Sequence, residues 1–224
     1  MTLWKRDLDP YITVISVPSS HILPIVLELP GHQTSIHINV YLPTAGKESR
    51  YVEELALLEA TIENVSETYP NALVYVRGDA NSVLQCRKNN KRDKLFKHFC
   101  SDHSLEPLSL NHKTYHHFAG QGSSDSNIDV VLQSSISTNG TPVLQNEELR
   151  EIICRNEDSR LNSHHDVIIT SLCLPHIQPD DSEPSTSVPR LVNTRHKIVW
   201  ADDAIDDYAA LVNPALEDLR SACL

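Results

Sequence analysis

The stretch Ala72–Ser82, ALVYVRGDANS, constrains this chain more than any other. Ala72 to Val76 are apolar or aromatic, and Val74, Tyr75 and Val76 favour an extended backbone. A short apolar run closed by a turn signal predicts a buried strand. The run passes directly into Arg77-Gly78-Asp79-Ala80-Asn81. Gly78 permits a sharp change of direction, and Asp79 and Asn81 then present a carboxylate and an amide at the strand's carboxyl end. A rigid sheet fixes such a carboxylate while the loop beyond it gives access, which suits a functional site. The same residues could equally form an Asx turn in which Asp79 bonds only its own backbone.

The flanking segments alternate strand and helix. Tyr11–Val17 and Leu23–Leu29 read as strands separated by Pro18-Ser19-Ser20. In Ser35–Leu42, Ile36, Ile38, Val40 and Leu42 share one face and His37, Asn39 and Tyr41 the other. That pattern fits either a half-exposed edge strand or a site wall with Tyr41 at its carboxyl end. After Pro43-Thr44-Ala45-Gly46, apolar residues Val52, Leu55, Leu58, Ile62 and Val65 predict a helix over Glu48–Thr68. Strand, helix, strand makes a crossover unit.

Beyond the central stretch, a shorter helix is expected from Lys91 to about Ser104, burying Leu95, Phe96 and Phe99. Thr114–Phe118 reads as a strand, Gly120–Asn127 as a polar loop, and Ile128–Leu132 as a strand carrying Asp129. An acid in an apolar strand either has a partner or marks an exposed strand start. Asn146–Cys154 is expected to form a helical turn or two, and Ser163-His164-His165-Asp166 precedes a last apolar strand, Val167–Leu172. Past Leu174 the composition shifts. His176–Pro189 mixes prolines with Asp, Ser, Thr and Glu and reads as a linker, and Ala201–Val212 as an acidic amphipathic helix. The expected division is a domain over 1–174 and a linker with an acidic helical tail over 175–224.

The net charge of −11 excludes broad, charge-driven binding of nucleic acid. It leaves room for an enzyme that handles phosphates through a metal ion, because the ion supplies the local positive field. One segment runs against the trend: Arg87, Lys88, Lys91, Arg92, Lys94 and Lys97 face a single acid, Asp93. That run is either a solvated helix face or a phosphate-backbone contact beside the Asp79 loop. The five cysteines are scattered and form no CxxC pair, so neither a disulfide framework nor a zinc site is indicated. With no run of about 18 apolar residues and no signal-peptide core at the N-terminus, an intracellular protein is expected.

In order, the chemistry-bearing segments are NVYLPT with Tyr41, RGDAN with Asp79 and Asn81, SNIDVVL with Asp129, and SHHDVIIT with His165. That succession resembles the endonuclease/exonuclease/phosphatase superfamily, the DNase I-like fold. Within it the chain is most similar to the apurinic-type endonuclease domain of non-long-terminal-repeat retrotransposons. RGDANS, TYHHFAGQGSSDSNIDVVL and HKIVWADDAIDDY carry the likeness over nearly the whole chain. The resemblance implies a four-layer α/β sandwich of two packed mixed sheets. It implies a phosphodiesterase acting on DNA with Mg²⁺ or Mn²⁺, in the nucleus if DNA is the substrate.

The resemblance also implies roles. Asp79 works on the attacking water, Asn81 bonds a phosphate oxygen, Asp129 orients His165, and Tyr41 touches the phosphate or leaving group. Arg87, Lys88, Lys91 and Arg92 become substrate-binding candidates. Two departures accompany these assignments. His164 stands where the family has an acid, and the chain begins after the family strands that carry an early Asn and a metal-binding Glu. Glu28 is no substitute for that Glu. The expectation is therefore a weakly active or degenerate nuclease with its N-terminal strands missing. A non-catalytic binding remnant and a hydrolase of small phosphoesters such as inositol phosphates remain the alternatives.

Overall fold

The computed structural model describes residues 4–85, 87, 90–108, 113–119, 122–135, 151–154, 165 and 167–170. The expected linker and acidic helix beyond residue 174 lie outside the described residues.

Strands β1 (Ile12–Val14), β2 (Ile22–Leu27) and β3 (Ser35–Tyr41) run antiparallel in succession. Helix α1 (Glu48–Thr68) then crosses over, and β4 (Leu73–Asp79) returns parallel to β3. Helix α2 (Lys91–Asp102) leads to β5 (Leu105–Pro107). A hairpin of β6 (Tyr115–Ala119) and β7 (Gly122–Ser126) precedes β8 (Asp129–Ser134). β8 pairs antiparallel with both β4 and β5. The result is a six-stranded mixed sheet of order β1-β2-β3-β4-β8-β5. A second, smaller sheet pairs β9 (Glu151–Cys154) with β10 (Val167–Thr170). This is the expected α/β architecture.

The crossover unit follows from its residues. Ile36, Ile38 and Val40 stand beside Val74, Val76 and Gly78 in register, so one face of β3–β4 is apolar. Helix α1 adds Tyr51, Leu55, Leu58, Ile62 and Val65 to the same buried cluster. Pro70 ends the helix, because the residue before a proline is pushed out of helical geometry. Tyr69 accordingly has φ −123° and ψ 77°. Asn71, at φ 70°, then turns the chain into β4. α2 begins with Asn90 as its cap, whose side chain accepts from the Asp93 N–H at 3.1 Å.

Several local expectations change. β3 lies between β2 and β4, so Ser35–Leu42 is no edge strand. Tyr11–Val17 shortens to β1, because Arg6–Tyr11 forms a 3₁₀ helix that fixes Pro10 within it. Most of the expected loop Gly120–Asn127 is β7, whose small polar residues carry no alternation and are held extended by pairing with β6. Glu151–Cys154, expected helical, is strand β9, where Ile152 and Ile153 pair with Ile169 and Ile168. On α1, Val52 is 49% exposed and Tyr51 takes the core position instead.

Candidate functional site

Three strands bring their ends to one line. Tyr41 is in register with Asp79, and Asp79 with Asp129. Residues in register across a sheet share a face, so these three rise from the same side at the same edge. The β4 end is shaped by Gly78, at φ +127°. A Cβ there would stand 2.1 Å from the Val40 carbonyl oxygen, so only glycine lets β3 and β4 approach this closely.

Asp79 is half-buried and accepts the Asn81 N–H at Oδ1, at 2.8 Å. Burial pushes its carboxyl up to about 6; the Asn81 N–H opposes that, the Asp129 charge adds to it, and His165 opposes it. Asn81 takes a positive φ of 49°. Its amide donates to the Leu42 carbonyl at 2.7 Å, tying the end of β3 to the end of β4. The same side chain also hydrogen-bonds Asp79 and opposes the rise of its carboxyl.

Asp129 reaches His165, whose Nδ1 lies 3.1 and 3.0 Å from the two carboxylate oxygens. With a carboxylate as acceptor, Nδ1 carries the proton, which makes Nε2 the ring's acceptor nitrogen. Asp79, Asp129 and His165 each offer a ligand atom, all within 4.8 Å of one another. Two adjacent carboxylates, one with its ionisation opposed by burial and by the other's charge, form a donor set that a divalent cation would relieve. The residues thus fit a metal ion.

Tyr41 is 56% exposed, at the rim. A residue that the sequence did not single out stands behind it. His21 donates from Nδ1 to the Tyr41 carbonyl at 2.6 Å, and the two rings stack at 6.0 Å and 19°. The His21 carbonyl in turn accepts the Tyr41 N–H at 2.9 Å. No local motif marks His21; only the antiparallel register of β2 with β3 brings it there.

The basic run divides. Arg92 is 8% exposed and donates to the Thr44 carbonyl at 3.1 Å and to Glu48 at 3.0 Å. Its guanidinium also lies 5.0 Å over the Tyr51 ring. Arg87 is committed to Asp93, with Nε at 2.8 Å and Nη2 at 3.0 Å. Lys91 is exposed in the first turn of α2, as are Lys94 and Lys97 further along it, and Lys88 lies outside the described residues.

Further along the same sheet face lies a buried polar group. His37 accepts at Nδ1 from Arg77 Nη2, so its Nε2 carries the proton and donates to Ser35 Oγ at 3.0 Å. Burial, and then the Arg77 charge, push His37 down to about 3. Its ring stacks on Tyr75 at 5.2 Å. The period of two placed His37 on the site's face; its neutral state follows from burial and then from Arg77, one strand away.

No protein-family model matches this chain, and no curated protein does. Among solved structures, it is similar to the endonuclease domain of TRAS1, a telomere-specific non-LTR retrotransposon. The TM-score is 0.54 and the identity 13%, covering 80% of this chain and 73% of that one. At lower likeness stands truncated TDP2 of Caenorhabditis elegans, with TM-score 0.45, 13% identity, and coverage of 70% of this chain and 63% of that one. An endonuclease/exonuclease/phosphatase of Beutenbergia cavernae gives TM-score 0.44 and 12% identity, covering 71% of this chain and 43% of that one.

Proposed function

We propose that this chain, which has the DNase I-like fold of the endonuclease/exonuclease/phosphatase superfamily, is a retrotransposon-derived, metal-dependent phosphodiesterase that nicks DNA weakly. The observation that carries this is the meeting of Asp79, Asp129 and His165 within 4.8 Å at the strand ends. Asp79 and Asp129 would hold Mg²⁺ or Mn²⁺ through oxygen, with His165 beside them. When bound, such an ion supplies positive charge to the phosphoryl oxygens.

The chain's own groups do the rest. Asp79 takes the proton of the attacking water at the carboxylate oxygen that the ion would leave open. His165 is held through Nδ1 by Asp129 at 3.0 Å and turns Nε2 to a phosphate oxygen. Tyr41 donates its phenol proton at the rim to the phosphate or leaving oxygen, and Asn81 turns its amide from Asp79 to a phosphate oxygen when substrate binds. Lys91, with Lys88 and the exposed part of Arg87, positions the backbone of the nucleic acid without reading its sequence. An intracellular, nuclear setting belongs to the same proposal.

Activity should be weak because Mg²⁺ gives up its water reluctantly, and the cluster among the described residues offers it only two carboxylates. Nicking of supercoiled plasmid by the purified chain, in millimolar Mg²⁺ or Mn²⁺, tests the proposal. Slow nicking abolished by chelator, Asp79→Ala and His165→Ala is the expected result. A folded protein that neither nicks nor binds the ion by calorimetry would be a non-catalytic nucleic-acid or protein-binding remnant. Release of phosphate from inositol or sugar phosphates in preference to cleaving DNA would make it a small-phosphoester hydrolase.

A further inference from the structure

We propose that Thr114 and Tyr115 are positioning residues for Asp129 and His165, so that one dipeptide aligns both members of the pair. The proposal rests on the reading that this pair works on a phosphodiester.

Tyr115 meets His165 twice. Their backbones form an antiparallel bridge, and their rings lie 4.8 Å apart between centroids, tilted by 59°. A tilted aromatic contact at that distance favours one orientation of the imidazole over a turning ring. Backbone and ring are therefore held by the same residue. Thr114 serves Asp129. It is 1% exposed, and its Oγ1 accepts the Asp129 N–H at 3.4 Å. Its own N–H donates to the Ser126 carbonyl at 3.1 Å, which fixes it to the end of β7.

Consecutive residues of an extended chain send their side chains to opposite sides. Thr114 and Tyr115 use that alternation to reach different targets, the backbone of Asp129 and the ring of His165. Asp129 and His165 arrive from distant parts of the chain and meet through side-chain contacts of 3.1 and 3.0 Å. One dipeptide therefore touches both members of the pair, the backbone of Asp129 and the backbone and ring of His165.

The test reads His165 directly. Its ring nitrogens, labelled with ¹⁵N and assigned through His165→Gln, are followed by NMR without substrate at a pH where the ring is neutral. The wild type and Tyr115→Phe should show one tautomer with the proton on Nδ1. Tyr115→Leu, checked for folding by circular dichroism, should show both nitrogens averaging. Its kcat on DNA should fall about tenfold, the lower range for losing an orienting partner, with KM little changed. An unchanged tautomer in Tyr115→Leu overturns the proposal, whether or not the chain cleaves DNA. Absence of cleavage in the wild type overturns only the functional reading, since the NMR result stands apart from it. If Tyr115→Leu does not fold, amide exchange decides. Thr114→Val should speed exchange at Asp129 by about tenfold, as a local opening would, and Thr114→Ser should restore it; an unchanged rate in Thr114→Val overturns the proposal.

Discussion

Asp79 and Asp93 flank the same loop and are treated in opposite ways. Asp93 is completely buried and is met from several directions. It accepts the Val83 N–H at 3.2 Å, the Arg87 N–H at 3.1 Å, and two donors of the Arg87 guanidinium at 2.8 and 3.0 Å. Burial alone would raise its carboxyl, but the Arg87 and Val83 donors outweigh it and hold Asp93 below the usual carboxylate range. Asp79, half-buried, is pushed up to about 6, because the Asn81 backbone and side-chain donors and the His165 charge do not offset burial and the neighbouring Asp129. A carboxylate whose lone pairs are filled by its own fold is spent on structure. One left short of donors is available to a proton or a cation.

Replacing each acid separates the two roles. Asp93→Ala strands the Val83 and Arg87 N–H groups and leaves the Arg87 guanidinium unpaired. The expected cost is about 3 kcal/mol of stability, read from denaturant unfolding. Asp79→Asn should leave stability unchanged or slightly raised in metal-free protein while removing nicking. A loss of stability at Asp79 matching that at Asp93 would erase the distinction.

The pH dependence sharpens it. The folded chain binds a proton at Asp79 more tightly than the unfolded chain does, with about 6 against 3.8. This group therefore makes metal-free protein less stable as pH rises through that window. Asp93 acts in the other direction: its contribution is present above the unfolded value of 3.8 and is lost as pH falls through its lower folded value. His37, held at about 3 against 6.5, also makes stability rise with pH across that interval. In chelator, Asp79→Asn should steepen the rise in stability between about pH 4 and 6, and His37→Gln should flatten it. Equal slopes in wild type and Asp79→Asn would show that Asp79 titrates normally.

The smallest effect concerns the loop between the two acids. The Tyr51 phenol lies 2.8 Å from Ser82 Oγ and 3.2 Å from the Ala80 carbonyl, joining α1 to the residues that follow Asp79. Tyr51→Phe keeps the ring and removes this tie, for an expected loss of about 1 kcal/mol in thermal or denaturant unfolding. No change would mean that the loop holds its shape through Asp93 alone.

The legible parts of this molecule were those whose signal is local and periodic. The crossover helix matches the expected Glu48–Thr68 at both ends, because its apolar spacing and the following Tyr69-Pro70 are written in adjacent residues. The convergence of Asp79, Asp129 and His165 came from the family order, with the alternation along the strands beside it. No spacing rule brings together residues that meet only through strand pairing and a long return of the chain. Charge counting treated Arg87, Lys91 and Arg92 alike. Arg92 goes inside because Thr44 and Asn81 supply carbonyls and Glu48 a carboxylate, all remote in sequence. β7 and β9 were missed because pairing makes them strands. Small polar residues in one, and a short run beside acids in the other, carry no pattern of two.

Gly78 bears on how the strands find each other. Where β4 passes Val40 there is no room for any side chain, and Gly78 is the residue that brings none. A slip of β4 along β3 by one position would carry Arg77 or Asp79 into that gap and turn the apolar residues of β4 to the wrong face. The narrow point thus works as a notch during folding, admitting one alignment of the two strands. That one alignment sets Tyr41 beside Asp79, so errors of pairing and loss of the site are the same event.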